Sequence, residues 1–270
     1  MRKSEGRKML PGVYVDKLKN GQPNYRSGLT ISNKHISLGS YETMEKASNA
    51  YKEALEVMNS NVTINEYNEN YSLSFDKYVM LINYRDTKFY ASAPIYIRKR
   101  DFSYYLSPSI ELKFDMDDLF YFSNKKIMQR GNRLFVSDYG MQVSLKERFG
   151  IMSFAVAGRD YKFVNDDPYD YRRENIEIIN RFHGVRKITK KMKTVYKVVI
   201  HPSSDFVVGI YSSEKEAAIA YNKAADILNK NGFNKDFLLN FVDNCSNKEY
   251  ADIYDKLAIS QKIIALKPSL

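Results

Sequence analysis

Residues Gly209 to Asn229 read GIYSSEKEAAIAYNKAADILN, and a diverged copy, GSYETMEKASNAYKEALEVMN, stands at Gly39 to Asn59. A constant offset of 170 places Gly209 on Gly39, Tyr211 on Tyr41, Ala217 on Ala47, Ala220 on Ala50, Tyr221 on Tyr51, Ala224 on Ala54 and Asn229 on Asn59. The chain carries a distant internal repeat. Each copy predicts a strand end, a turn at the glycine and an amphipathic helix. Ala47, Ala50, Tyr51, Ala54, Leu55 and Met58 recur along one helical face, and Ala217, Ala220, Tyr221, Ala224 and Leu228 repeat the pattern. Ser213 and Glu216 form a capping box, in which hydroxyl and carboxylate each satisfy a backbone N–H left over at the helix start. Alanines on the buried face let a helix lie close to a sheet, so the residues upstream should supply one.

They read as strands. In the first copy Gly12-Val13-Tyr14-Val15 opens one, Asn20-Gly21 marks a turn, Tyr25 to Ser32 makes the second, and His35 to Leu38 the third, ended by Gly39. Alternation turns Tyr25, Ser27, Leu29, Ile36 and Leu38 to the helix, and Arg26, Gly28, Thr30, His35 and Ser37 to an open side. About 50 residues cannot cover both faces of a sheet, so one face stays wet. In the second copy the strands are Gly184-Val185-Arg186, Val195 to His201 and Phe206 to Val208. Tyr196, Val198, Ile200, Phe206 and Val208 face the helix. Lys197, Val199 and His201 face outward beside the basic run Arg186, Lys187, Lys190, Lys191 and Lys193.

A repeat spaced so widely over 270 residues leaves room for a further unit between its copies. The expected fold is α+β: a sheet-and-helix unit at 1–60, a β-rich centre at 61–182, a second sheet-and-helix unit at 183–244, and a helix at 245–270. Strands are predicted at Tyr71 to Phe75, Lys88 to Tyr96 and Leu134 to Val143, with turns at Gly131-Asn132 and Tyr139-Gly140. The aromatics near Arg98, Lys99 and Arg100 are expected in the core; the alternative is stacking on single-stranded bases. Tyr250, Ile253, Tyr254, Leu257 and Ala258 are helically spaced, so the tail either packs on the second unit or pairs two chains into a homodimer.

Apolar residues make up 44% of the chain, with 22 Tyr and 15 Phe, enough for packed cores. The net charge of +10 favours polyanions, nucleic acid first. A single cysteine, Cys245, excludes an internal disulfide framework and a clustered cysteine zinc site. No apolar run reaches the roughly 20 residues of a membrane span, and MRKSEGRKML leads into no signal-peptide core, so a cytoplasmic location is expected.

The order Gly-Val, strand, strand, aliphatic-Gly-x-aromatic, then Glu45-x-Ala47-x-x-Ala50-Tyr51, with Lys215 for Glu45 in the second copy, resembles the ethylene-response-factor, or APETALA-type, DNA-binding domain. The resemblance covers about 12–60 and 184–242. It implies a three-stranded sheet laid in the major groove of double-stranded DNA, with Tyr14, Lys17, Arg26, Thr30 and His35, and Arg186, Lys187, Lys190, Lys191, Lys193, Lys197 and His201, as contact residues. Tyr14, Ile188, Val199, Asp205 and Val207 stand where the family has groove-facing arginines and tryptophans, so its base-reading code does not carry over.

Residues 161–180, YKFVNDDPYDYRRENIEIIN, resemble the hairpin and helix of the His-Asn-His endonucleases through Asn165, Asp167, Pro168, Asp170, Arg172, Glu174 and Asn175. Phosphodiester hydrolysis there uses a metal ion and a base supplied by an Asp and a His on the first strand. Lys162 and Phe163 occupy those positions. The resemblance therefore implies a nuclease-derived centre without catalytic residues, metal or cofactor, in which Lys162, Arg172, Arg173 and Asn175 could meet phosphate. The three histidines, His35, His183 and His201, are expected at the surface or on phosphate. The resulting expectation is a non-catalytic, sequence-specific DNA-binding regulator; the alternatives are an endonuclease with a rearranged site and a protein that occupies a partner protein.

Overall fold

A computed structural model describes residues 10–268, and the chain divides into two compact units: residues up to 143 together with 167–173, and residues 144–166 together with 174 onward. The basic residues before Leu10 lie outside the described residues. The fold is α+β. The division cuts through the stretch 61–182 that the sequence groups as one centre.

In the first unit β1 (Val13–Lys17), β2 (Pro23–Ile31) and β3 (Lys34–Tyr41) form an antiparallel sheet in that order, backed by α1 (Met44–Asn59). Leu29, Ile36 and Leu38 are buried with Ala50, Ala54 and Val57 of the helix, while Arg26, Thr30 and His35 are exposed, as alternation requires. In the second unit β12 (Val185–Lys190), β13 (Lys193–Ile200) and β14 (Phe206–Tyr211) repeat the sheet, and α5 (Glu214–Lys230) packs behind it. Both capping residues act at the matching place: the Thr43 Oγ1 accepts from the Lys46 N–H, and Ser213 and Glu216 close the full box.

Two devices recur in both copies. Ser27 faces Gly39 but Gly28 faces Ser37, so Leu38 is an extra, buried residue; Val198 faces Gly209 but Val199 faces Val207, so Val208 is its equivalent. These bulges turn one more apolar side chain into the core. Gly39 and Gly209 therefore end no strand. Each strand runs on to Tyr41 or Tyr211, and a Cβ on Gly209 would lie 2.5 Å from the Tyr211 hydroxyl, so glycine answers a close approach there. The second device ties the first strand to the helix. Gly12 (φ +73°) and Gly184 (φ +71°) lie against Tyr51 and Tyr221, where a Cβ would fall 2.1 and 2.5 Å from ring carbons. Their carbonyls accept from the Gly28 and Val199 N–H at 3.2 and 2.8 Å.

The rest of the first unit departs from expectation. Tyr71 to Phe75 is no strand but the approach to α2 (Phe75–Thr87), and Lys88 to Tyr96 is irregular until β4 (Ile95–Ile97). Tyr78, Val79, Met80, Leu81 and Ile82 are all buried, so the middle of α2 has no polar face and no helical period to betray it. β4 pairs with β5 (Asp101–Ser107) and β5 with β6 (Ile110–Asp115). After α3 (Leu119–Phe122), the hairpins β7 (Ile127–Arg130), β8 (Arg133–Asp138) and β9 (Met141–Ser144) turn at 131–132 and 139–140, as read from the sequence. Phe102 and Tyr104 are core residues, and Arg98 is paired with Glu111 at 2.7 Å, so this aromatic cluster packs inward.

In the second unit α4 (Leu145–Arg148) precedes the hairpin β10 (Tyr161–Phe163) and β11 (Ile176–Ile178). The tail is two helices, α6 (Asn247–Lys256) and α7 (Gln261–Ile264), folded onto α5. The Lys223 Nζ donates to the carbonyls of Tyr254 and Leu257 at 2.6 and 2.9 Å, and the Tyr254 hydroxyl to Asp226 at 2.8 Å. Ile259 and Ile263 enter the core, and the Ser260 N–H donates to the Val208 carbonyl on the edge of β14. The apolar stripe that suggested a homodimer is thus used within the chain.

Candidate nucleic-acid interface

Register decides what the second sheet presents. Arg186 lies directly opposite Lys197, Ile188 opposite Val195, and Lys190 opposite Lys193. Alternate residues of a strand share a face, so these three rungs all lie on the side away from α5. Ile210, opposite Lys197, and Val207, opposite Val199, extend that face onto β14, each 45% exposed. Lys187 does not belong there. It stands opposite Tyr196, which packs against the core, so its row is the helix side, although Lys187 itself is exposed. Lys191 and Met192 form the hairpin tip, both left-handed at φ +49° and +61°.

The face is strongly cationic. Asp205 lies 3.9 Å from Arg186 and accepts from His201 at 2.9 Å. Lys190, Lys193 and Lys197 have no carboxylate within ion-pairing distance among the described residues. At the Arg186 end the face runs into a cleft of about 400 Å³ lined by Phe154, Arg159, His183, Tyr221 and Lys235. His183 is half-buried: its ring makes edge contacts with Phe154 and Tyr221, and burial pushes its pKa below the usual histidine value. Only the fold brings Phe154 to it.

The open face of the first sheet differs in kind. Tyr14 lies opposite Arg26, and Thr30 opposite His35, whose ring covers Gly28 and meets Tyr14 edge-on. Arg26 lies 3.8 Å from Asp16. Lys17 falls on the same side of β1 as the buried Val13, not with Tyr14. This face offers hydroxyls, an imidazole and one partly neutralised guanidinium.

Each nuclease-like residue has a protein partner of its own. Lys162 faces Glu177 across β10 and β11 and pairs with it at 2.9 Å. Asn175 is buried, and its Oδ1 accepts from the Asn165 N–H at 2.8 Å, closing the turn after β10. Arg172 and Arg173 belong to the other unit: Arg172 grips the buried Asp170 at 2.6 Å, and Arg173 spans Asp115 and Asp118 at 3.2 and 3.1 Å. These contacts hold the loop 167–173 to β6. Residue types that match a nuclease motif serve here as turn and loop fasteners. Among the described residues no three His, Cys, Asp or Glu side chains gather to hold a metal ion, and no helix is long and apolar enough to cross a membrane.

The sequence located the basic residues without the like-charged rungs or the apolar rung between them, because opposition across strands depends on register. Compared with protein-family models, curated proteins and solved structures, the chain matches none.

Proposed function

We propose that the protein binds double-stranded DNA without cutting it, as a regulator, and that the β12–β13 ribbon enters the major groove. The observation that carries this reading is the opposition of like charges, Arg186 to Lys197 and Lys190 to Lys193, on one exposed face. Like charges directly across a sheet are destabilising, by roughly 0.2–1 kcal/mol a pair. A surface shaped by stability alone would alternate signs. A phosphate backbone reverses the penalty, since each neutralised phosphate releases counterions, and the major groove admits a two-stranded ribbon.

The hairpin tip supports the same reading. Its left-handed positions suit Asn-Gly, yet Lys191 and a 97%-exposed Met192 occupy them at a conformational cost. The reading without cleavage is supported by the chemistry at β10: Phe163 can neither hold a metal nor take a proton, and Lys162 pairs with Glu177. The first open face, with Tyr14, Arg26, Thr30 and His35, adds hydrogen-bonding groups rather than charge.

The test is binding of the full chain to duplexes enriched from a random pool, followed by anisotropy over a range of salt. Lys190→Ala and Lys193→Ala should each lower the slope of log affinity against log salt by about 0.9. Binding that is absent at low salt, or a slope unmoved by either change, overturns the proposal.

A further inference from the structure

The cationic rungs frame a row that is neither core nor solvated face. Ile188 and Val195 oppose each other midway between Arg186–Lys197 and Lys190–Lys193, half-exposed on the side away from α5; on β14, Ile210 continues the Arg186–Lys197 rung and Val207 lies beyond it, opposite Val199. The first sheet carries no such row on its open face, where Tyr14, Arg26, Thr30 and His35 stand. Resting on the DNA-binding reading above, we infer that Ile188 and Val195 are specificity-determining residues that read the C5-methyl group of thymine in the major groove.

Two features, the spacing of the rungs and the apolar chemistry of the middle one, converge on that group. The two cationic rungs are four residues apart along each strand, about 13 Å at 3.3 Å per residue. That matches the ≈ 12 Å width of the major groove, so the outer rungs reach the phosphates of the two groove walls and the middle rung lies over the floor. The floor offers donors, acceptors and one apolar group, the thymine methyl. Ile188 and Val195 have no polar atoms to pair with the rest, so a G·C edge beneath them loses hydrogen bonds to water without replacement, whereas a methyl is welcomed. Duplex RNA fits neither feature: its major groove is too narrow for side chains to read, and its pyrimidine lacks the methyl.

The experiment uses the full chain and its best duplex from the random-pool selection, with every thymine then replaced by deoxyuridine, which removes the methyl and keeps the hydrogen-bonding pattern. Affinity should fall by about fourfold for each methyl covered, the equivalent of one buried CH₂. In Ile188→Thr and Val195→Thr, β-branched changes that suit a strand and whose folding a melt confirms, the thymine-to-uracil ratio should move toward one with the salt slope unchanged. Lys193→Ala should lower the slope and leave the ratio. Equal affinity of the native protein for the two duplexes overturns the methyl readout while leaving DNA binding intact, and this arm needs no variant. Stronger competition by duplex RNA also overturns it. Failure to bind any duplex in a salt-dependent way overturns the DNA-binding reading itself.

Discussion

Replacing Lys197 by Thr removes one charge from the rung it shares with Arg186, and the fold should become more stable as DNA binding weakens. Directly opposed residues place Cβ atoms about 5 Å apart, and flexible charged ends relax to about 6 Å. Two unit charges at that distance repel by roughly 0.7 kcal/mol in water. A Debye length of about 3 Å at 1 M salt reduces this to roughly 0.1 kcal/mol. Asp205, 3.9 Å from Arg186, already offsets part of the repulsion, so the figure is an upper bound. The packing and propensity difference between Lys and Thr does not depend on salt. The diagnostic quantity is therefore the part of the gain that disappears at high salt, up to about 0.6 kcal/mol by the same Coulomb estimate. Urea unfolding at low and high ionic strength measures it, because urea adds no screening of its own. The slope of DNA affinity against salt should fall by about 0.9 in the same variant. A stability change that is identical at both ionic strengths would show that the opposed cations do not strain the sheet, and the main support for a polyanion partner would go with it.

Four further outcomes are expected. Met192→Gly should raise stability by roughly 0.5–1 kcal/mol, because glycine accepts φ > 0 without a Cβ penalty; no gain in the urea midpoint contradicts a strained tip. Gly184→Ala should cost about 2–4 kcal/mol, from the left-handed backbone and a Cβ 2.5 Å from both the Tyr221 ring and the Val199 carbonyl, and a melting temperature near the native value would refute the tie between strand and helix. The folded pKa of His183 lies below its unfolded value near 6.5, because burial disfavours the imidazolium. Its contribution is thus fully present above pH 6.5 and lost as the pH falls from there through the lowered folded value; His183→Phe should flatten the stability loss between pH 7.5 and 5, and an equal loss in both proteins argues against a buried neutral imidazole. Finally, the purified chain should leave plasmid DNA intact with magnesium, manganese or zinc, and metal-dependent nicking that vanishes in Asn175→Ala would reinstate a nuclease.

Local rules written in the sequence were enough for the repeat. The alanine faces, the capping box at Ser213 and the alternation of Leu29, Ile36, Val198 and Ile200 all depend on neighbours within a few residues, and period and propensity report such neighbours directly. Helix α2 escaped the same logic because its buried middle lacks the polar face that makes a helix visible. The strand ends escaped it too, since Gly39 and Gly209 mark a close approach of Tyr41 and Tyr211 and not a turn. Sequence also assembled a nuclease-like row from Lys162, Arg172, Arg173 and Asn175. Tertiary structure gives these residues partners that the chain does not announce, in a cross-strand ion pair, a loop clamp and a turn lock, because spacing along a chain says nothing about which carboxylate folds against which cation. The same holds for the proposed interface. The basic residues could be named from the chain, but that Arg186 meets Lys197, that Lys190 meets Lys193 and that Ile188 and Val195 lie between them follows from a register shared by two strands, and register is a property of the pair.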